Sequence, residues 1–224
     1  MREFVVNKLI LGNELNIYID ADEIFSLGNL FDKHSNIHIH TLDLLPVESK
    51  DKLAIVITRR QGILDEIHAD DFKLLFIIIP SEINLKGNCK LTSAIIYRCM
   101  EAEFYKNALC KILAGIIDFT FGFDFPLDAI DLKLALSFDS SRYIKIVHST
   151  MDLDSLEKIN LSDVRNDTSV VMNMKLNPLV LKKIEKVSDV LLKKLGSDYK
   201  GDCFFSAKTH ESSSLEEVFV LYSV

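Results

Sequence analysis

Two carboxylates three residues apart, Asp128 and Asp131, are the residues of this chain whose spacing best suits chemistry. They open a predicted helix, so both side chains fall on one helical face. A carboxylate pair at the end of an element could work as an acid and a base, or could bind Mg²⁺. The alternative is structural, because acidic residues in a first turn stabilise a helix by roughly 0.3 to 1 kcal/mol each. The residues alone leave both interpretations open.

Histidines and cysteines offer weaker signals. His38 and His40 alternate along a predicted strand and share a face, with His34 nearby, which is a possible start of a metal site. No further ligands at suitable spacing accompany them, so we expect solvent-facing strand histidines and no metal. The cysteines form no CxxC pair and lie in apolar patterns, which predicts small buried side chains at Cys89, Cys99, Cys110 and Cys203.

Glycine spacing argues against a phosphate loop. Such a loop needs clustered glycines, because its backbone N–H groups approach the phosphates closely and adopt conformations that a side chain forbids. The chain has eight glycines and no two lie within four residues of each other, so neither GxGxxG nor GxxxxGK[ST] occurs. We therefore expect no nucleotide cofactor held by such a loop. No GxSxG motif is present either, and we predict that the protein is not an enzyme.

Composition limits the class of protein. The 224 residues are 48% hydrophobic and 26% charged, which is typical of a folded globular protein. The net charge of -7 and the dispersed lysines disfavour nucleic acid as a partner. The longest apolar run, Leu74–Pro80, has the length of a strand, and the N-terminal segment has no small-residue cleavage site. We therefore expect a cytoplasmic protein without a membrane partner.

Apolar periodicity predicts an α/β segment followed by an α+β segment. Short helices are expected at Ala21–Phe31 and Ile63–Ala69, and one long helix or two abutting helices over Leu91–Phe119. A strong helix is expected after Asn177 as its N-cap and Pro178 as its first residue, with Gly196 at its exit. Strands are expected at Phe4–Leu11, Leu15–Ile19, Ile37–Leu42, Leu53–Thr58, Leu74–Ile79, Tyr143–His148, Ser169–Met174, Asp202–Ala207 and Glu217–Tyr222.

Several segments, taken in order, resemble the bacterial tubulin homologue FtsZ. The end of the family's central helix and the synergy loop after it resemble Gly115–Leu136, with the sequence GIIDFTFGFDFPLDAIDLKLAL. One strand of its first lobe resembles Phe72–Leu85, FKLLFIIIPSEINL. A strand and helix of its second lobe resemble Thr168–Leu192, and its closing strand pair resembles Cys203–Val224. The likeness is weaker before Phe72, where Leu15–Leu27 is similar to one further segment of the family.

This resemblance implies a shortened tubulin-like fold of three parts. We expect an abbreviated Rossmann-like α/β lobe over residues 1–98, a long central helix and loop over 99–125, and a C-terminal α+β lobe over 126–224 with a four-stranded sheet and a packed helix. The family's phosphate-binding glycine loops have no counterpart. Lys106 occupies the position of the family's guanine-binding aspartate, and Ala102 occupies that of the partnering phenylalanine. A cation cannot accept hydrogen bonds from guanine N–H groups.

The resemblance further implies a pseudo-GTPase that caps or regulates filaments. Its polymer-interface residues would be Pro126, Asp128, Asp131 and Lys133, which match the synergy loop, although Pro126 replaces that loop's asparagine. The expected partner is FtsZ, a related tubulin-like protein, or a second copy of this chain. Two alternatives stay open: a nucleotide-independent self-assembling protein, and a protein-binding module that reuses the scaffold.

Overall fold

A single nine-stranded sheet organises the protein in a computed structural model that describes residues 14–20, 37–45, 49–85, 87–99, 129–136, 143–209 and 216–224. The strand order is β2-β1-β3-β4-β5-β6-β9-β7-β8. The strands are β1 (Leu15–Ile19), β2 (Ile37–Thr41), β3 (Ser49–Ile57), β4 (Phe72–Pro80), β5 (Ile95–Cys99), β6 (Ile144–Thr150), β7 (Val170–Leu176), β8 (Cys203–Thr209) and β9 (Glu217–Ser223). The α-helices within the described residues are α1 (Gln61–Glu66), α2 (Ala129–Leu136), α3 (Leu153–Lys158) and α4 (Leu181–Leu195). None of these helices combines the length and the apolar character needed to cross a bilayer.

The first half of the sheet consists of parallel strands, β2-β1-β3-β4-β5. Their residues alternate between two buried faces, which explains why β4 is almost continuously apolar. Ile17, Ile55 and Phe76 face one cluster, which α2 covers with Leu132 and Leu136. The opposite face packs against α1 and a short 3₁₀ turn at Cys89–Leu91 through a second cluster.

The second half of the sheet, β6-β9-β7-β8, is mixed. β9 pairs antiparallel with both β6 and β7, and β7 pairs parallel with β8. One face is covered by α3 and α4, where Val187 and Leu191 of α4 pack on β7. The other face contributes Val171, Phe219 and Leu221 to the same cluster that α2 covers in the first half. α2 therefore contacts both halves of the sheet.

The two halves meet at one residue pair, Tyr97↔Ile144, between the parallel strands β5 and β6. Beyond that pair the two strands diverge. A gap consequently opens in the sheet.

Most of the strand predictions are confirmed with shifts of one or two residues at the ends. β1 has the predicted bounds, whereas β3 begins at Ser49, four residues before the predicted start at Leu53. The predicted strand Phe4–Leu11 and helix Ala21–Phe31 lie outside the described residues. The mixed α/β fold class is confirmed, while the proposed domain boundaries stay a prediction.

The helix predicted over Leu91–Phe119 is wrong for its first part. Ile95–Cys99 forms β5, because this run of β-branched and aromatic residues pairs with the buried strand β4 and completes the first half of the sheet. Residues 100–119 lie outside the described residues. Cys99 is buried as expected, but Cys89 is exposed, because in its 3₁₀ turn Leu91 is the residue that enters the core.

The predicted start of α4 is also wrong. The helix begins at Leu181 with Val180 in an extended conformation at the N-cap, and Pro178 lies outside it after a cis peptide bond. Asn177 is engaged elsewhere, since its backbone N–H donates to Glu216 and its carbonyl accepts from Lys183. The predicted exit is confirmed, because Gly196 follows the helix with a φ of +90°.

Candidate functional site at the carboxyl edge of the sheet

The carboxyl ends of β1, β2 and β3 meet at one edge of the sheet. β1 lies between β2 and β3, so the chain runs to one side of β1 first and then to the other. In an open α/β sheet such a reversal of strand order leaves a crevice at the carboxyl ends, which is the usual position of a ligand. The residues there are Asp20, Asp43, Thr58 and Arg60, which we name the carboxyl-edge cluster.

The strand ends position this cluster. Ile19 pairs with Thr41 on one side and Ile57 on the other, which places the residues that follow side by side. Thr58 is completely buried, and its hydroxyl oxygen accepts a hydrogen bond of 3.0 Å from the backbone N–H of Arg60. That bond fixes the backbone from which the Arg60 side chain extends.

Arg60 forms ion pairs with both carboxylates of the cluster. Its Nε lies 2.7 Å from Asp20 and its Nη1 lies 3.8 Å from Asp43. The Asp20 side chain is 25% exposed and that of Arg60 48%, so water screens the pair only in part. Two carboxylates and one guanidinium give the cluster a formal charge of -1.

This arrangement is poorly suited to hold a phosphate. A phosphate group would have to displace Asp20 from Arg60 and approach two carboxylates, since Arg60 is the cluster's cation. Backbone N–H groups could compensate only in a glycine-rich turn, and the sequence contains none. The chemistry available to these described residues is that of an ion-pair network, not of a nucleotide cradle.

Of the four residues predicted at a polymer interface, the structure describes two. Pro126 and Asp128 lie outside the described residues, and Asp131 lies within α2. Lys133, one half-turn further along α2, donates a hydrogen bond of 3.0 Å from Nζ to the carbonyl oxygen of Phe72 at the start of β4. The ammonium of Lys133 therefore anchors α2 to the sheet, and an interface role for the four residues stays a prediction.

The histidines on β2 belong to a polar and aromatic row. His40 makes a hydrogen bond of 3.0 Å between Nε2 and Oδ1 of Asn16, and its ring stacks on Tyr18 with 5.2 Å between centroids. The Nε2 atom of His38 lies 3.9 Å from the carboxylate oxygen Oε1 of Glu14. Across the described ranges, no three His, Cys, Asp or Glu side chains are grouped so as to hold a metal ion, and His34 lies outside those ranges.

Sequence reasoning missed Arg60 and its partners. The available signal was position, because Arg60 lies two residues after the end of the buried run Leu53–Thr58 and Asp20 directly follows the run Leu15–Ile19. Residues after neighbouring parallel strands converge at one edge. Which strands would be neighbours was not evident from the sequence.

Comparison with known proteins identifies the fold. No family model and no curated protein matches the sequence. CetZ from Methanosaeta thermophila strain DSM 6194 is similar in structure with a TM-score of 0.56 and 10% identity, over 92% of this chain and 85% of CetZ. TubZ from Bacillus thuringiensis serovar israelensis, solved as GDP-form protofilaments, has a TM-score of 0.57 and 11% identity, over 94% of this chain and 85% of TubZ. The chain therefore has the tubulin/FtsZ-like fold that its motifs predicted.

Proposed function

We propose that this protein is a tubulin/FtsZ-like pseudo-GTPase that caps or regulates filaments through the face carrying Asp128 and Asp131. The observation that carries the proposal is the ion pair of Arg60 with Asp20 at the carboxyl edge of a tubulin-like sheet. At the edge where this fold class binds ligands, the guanidinium of Arg60 is already paired with two carboxylates. A protein with this edge would keep the scaffold of a polymer-forming GTPase without its nucleotide chemistry.

The proposal requires two separate ends on the subunit, and two contacts in the sheet support such a separation. Lys133 attaches α2 to Phe72 at the amino end of β4, whereas Arg60 follows the carboxyl end of β3, which pairs with β4 at Ile78. Ile78 lies six residues along the strand from Phe72, which at about 3.3 Å per residue is roughly 20 Å. α2, which contains Asp131, and the carboxyl-edge cluster therefore lie towards opposite ends of the strands.

Head-to-tail growth requires both ends of each subunit. Such a contact is heterologous, so a subunit with one functional end can join a filament but cannot be extended. Loss of the nucleotide end with retention of the Asp128 and Asp131 end gives a cap. The partner would be the FtsZ or other tubulin-like protein of the same cell. If the altered ends still pair with each other, the partner would be a second copy of this chain.

Pelleting of the cell's own FtsZ or TubZ-type protein, with its GTP turnover, tests the proposal. Adding this chain is expected to change polymer mass in a dose-dependent way, and the double variant Asp128→Ala, Asp131→Ala is expected to lose the effect. The matched control is Glu185→Ala with Asp189→Ala, which removes an exposed acidic pair from α4. An effect that survives in the Asp128 and Asp131 variant but disappears in the control would reject this face as the interface.

Nucleotide binding is tested on the chain alone. Calorimetry with GTP and Mg²⁺ is expected to show no binding heat, and the chain is expected to release no phosphate from GTP. Micromolar binding of GTP would reject the pseudo-GTPase proposal. Sedimentation across concentration separates the self-assembly version, because a chain that stays monomeric cannot form polymers of its own.

A further inference from the structure

The gap between β5 and β6 is an open pocket of about 410 Å³. It exists because β5 and β6 pair only at Tyr97↔Ile144 and then separate. Its lining combines polar groups with the apolar side chains of the diverging strands, including Ser81, Arg98, Tyr143, Lys145, Ile146 and Val147. The pocket is distinct from the carboxyl-edge cluster, which lies beyond β4 at the ends of β1 to β3.

Arg98 is the distinctive group in this pocket. Its guanidinium lies over the ring of Tyr143, with 5.5 Å from Cζ to the ring centroid. The Nε atom of Arg98 is buried without a hydrogen-bond partner, and among the described residues no carboxylate forms an ion pair with Arg98. A buried donor without an acceptor is costly, and more so when it belongs to a charged group. The Nη groups of Arg98 are not among these buried atoms, so they are the donors that a ligand in the pocket can reach.

Lys145, the pocket's second cation, is already neutralised. Its ammonium forms an ion pair with Asp163, and the Tyr222 hydroxyl donates to the same carboxylate at 2.7 Å. Burial alone would raise the pKa of Asp163, but these hydrogen bonds and the charge of Lys145 lower it. Asp163 therefore stays ionised at neutral pH. Of the two cations in the lining, Arg98 is the one whose charge is not balanced by a described carboxylate.

Glu82, which follows the lining residue Ser81, forms no ion pair with Arg98 among the described residues. Glu82 lies in the exposed turn after β4, where it accepts a hydrogen bond of 3.1 Å from the Ser81 hydroxyl. A carboxylate in water is well screened from a partly buried guanidinium. The pocket lining also includes apolar side chains, since Ile144 is buried and Ile146 and Val147 pack against the two cores.

We infer that the β5–β6 pocket binds a small organic anion that places an oxyanion on Arg98 and its apolar body against Tyr143 and Val147. A guanidinium presents paired N–H donors that suit a carboxylate or a phosphate equally, and it binds either more strongly away from bulk water. Both groups share the required chemistry of two acceptor oxygens side by side. This inference goes beyond the filament role and does not depend on it.

Calorimetric titration and two-dimensional NMR with matched aromatic probes test the inference. Benzoate and phenyl phosphate present the two oxyanions on one apolar body, benzamide is the neutral counterpart of benzoate, and inorganic phosphate lacks the body. Saturable binding of benzoate or phenyl phosphate, at least tenfold tighter than that of benzamide, is expected, with shifts confined to residues near Arg98 and Tyr143. The preference between the two aromatic anions identifies carboxylate or phosphate as the natural group.

Variants then assign the binding to Arg98. Arg98→Gln is expected to weaken the preferred anion at least tenfold, and Arg98→Lys, which keeps the charge but loses the paired donors, is expected to bind with intermediate affinity. Arg165→Gln removes an exposed arginine elsewhere and is expected to bind like the native chain. If Arg98→Gln fails to fold, the Lys variant and the NMR map still test the site. Absence of saturable binding of both aromatic anions, or equal binding in the native and Arg98 variants, would overturn the inference.

Discussion

Replacing Lys133 with methionine is expected to destabilise the protein by about 1 kcal/mol. Lys133 Nζ donates to the Phe72 carbonyl at 3.0 Å, which joins α2 to the first residue of β4. A hydrogen bond from a charged group contributes about 1.5 to 3 kcal/mol when buried. Lys133 is only half-buried, so water compensates part of the loss and about 1 kcal/mol remains. Methionine keeps an unbranched apolar side chain at this position and removes the ammonium group.

Urea unfolding followed by circular dichroism measures this change in the free energy of unfolding. In thermal unfolding, the melting temperature should fall by roughly 2 to 4 °C for a chain of this size. Lys73→Met is the control, because Lys73 is the exposed residue of β4 directly after Phe72. If Lys133→Met leaves stability unchanged but abolishes the effect on filaments, the anchoring role is wrong. Lys133 would then act at the interface, as the sequence resemblance implied.

Three further predictions concern the second half of the sheet. Asn173 on β7 is completely buried, and neither the nitrogen nor the oxygen of its side-chain amide has a hydrogen-bond partner. Asn173→Leu should therefore raise the free energy of unfolding by about 1 to 3 kcal/mol, and a decrease in stability would contradict this reasoning. Gly201→Ala should lower the free energy of unfolding in urea by at least about 2 kcal/mol, because the alanine Cβ would lie 2.2 Å from the Thr168 carbonyl oxygen. Gly62→Ala is the control and should not destabilise the protein, because a Cβ there would have no atom within 4 Å. Burial would raise the pKa of Glu216, but hydrogen bonds from Lys183 and Asn177 lower it below the ordinary value of 4.5. The ionised Glu216 therefore stabilises the folded protein above pH 4.5, and this stabilisation is lost as the pH falls through the pKa of the folded state. Glu216→Gln should therefore flatten the acid side of a stability-against-pH curve, and an unchanged acid side would contradict the assignment.

The sequence specified the strands well because burial on both faces requires continuous apolar runs. β1 was predicted residue for residue, and β4 to within two residues. β5 was missed because the spacing of apolar residues after Leu91 also fits a helix, and only pairing with β4 decides the conformation of Ile95–Cys99. A similar long-range effect displaced the start of α4, where Glu216, 39 residues away, binds the Asn177 backbone.

The candidate sites depended more strongly on long-range contacts. The partners of Arg60 come from separate strands, Asp20 after β1 and Asp43 after β2, so their convergence follows from the strand order and not from any local motif. The Arg98 pocket depends on how β5 and β6 diverge, a feature with no sequence signature. The sequence did predict the likeness in fold, because that prediction depended on the order of several motifs along the chain and not on single site residues.

Failure to bind GTP would have two possible physical causes, and the carboxyl-edge cluster allows them to be separated. One cause is charge, because Asp20 and Asp43 oppose a phosphate and occupy Arg60. The other is the lack of a glycine-rich turn in the sequence, which no change to the side chains of the cluster restores. In the variant Asp20→Asn, Asp43→Asn the cluster's formal charge changes from -1 to +1, and Arg60 is released.

We expect this variant still to give no GTP binding heat at micromolar concentrations. A single guanidinium half in water supplies too few fixed donors for a triphosphate, whereas a phosphate loop offers several backbone N–H groups at once. The melting temperature should change little, because partly exposed ion pairs contribute about 0 to 1 kcal/mol. If GTP binds the variant tightly, charge alone closes the site in the native chain. The two carboxylates would then be the sole barrier to nucleotide on an otherwise competent scaffold.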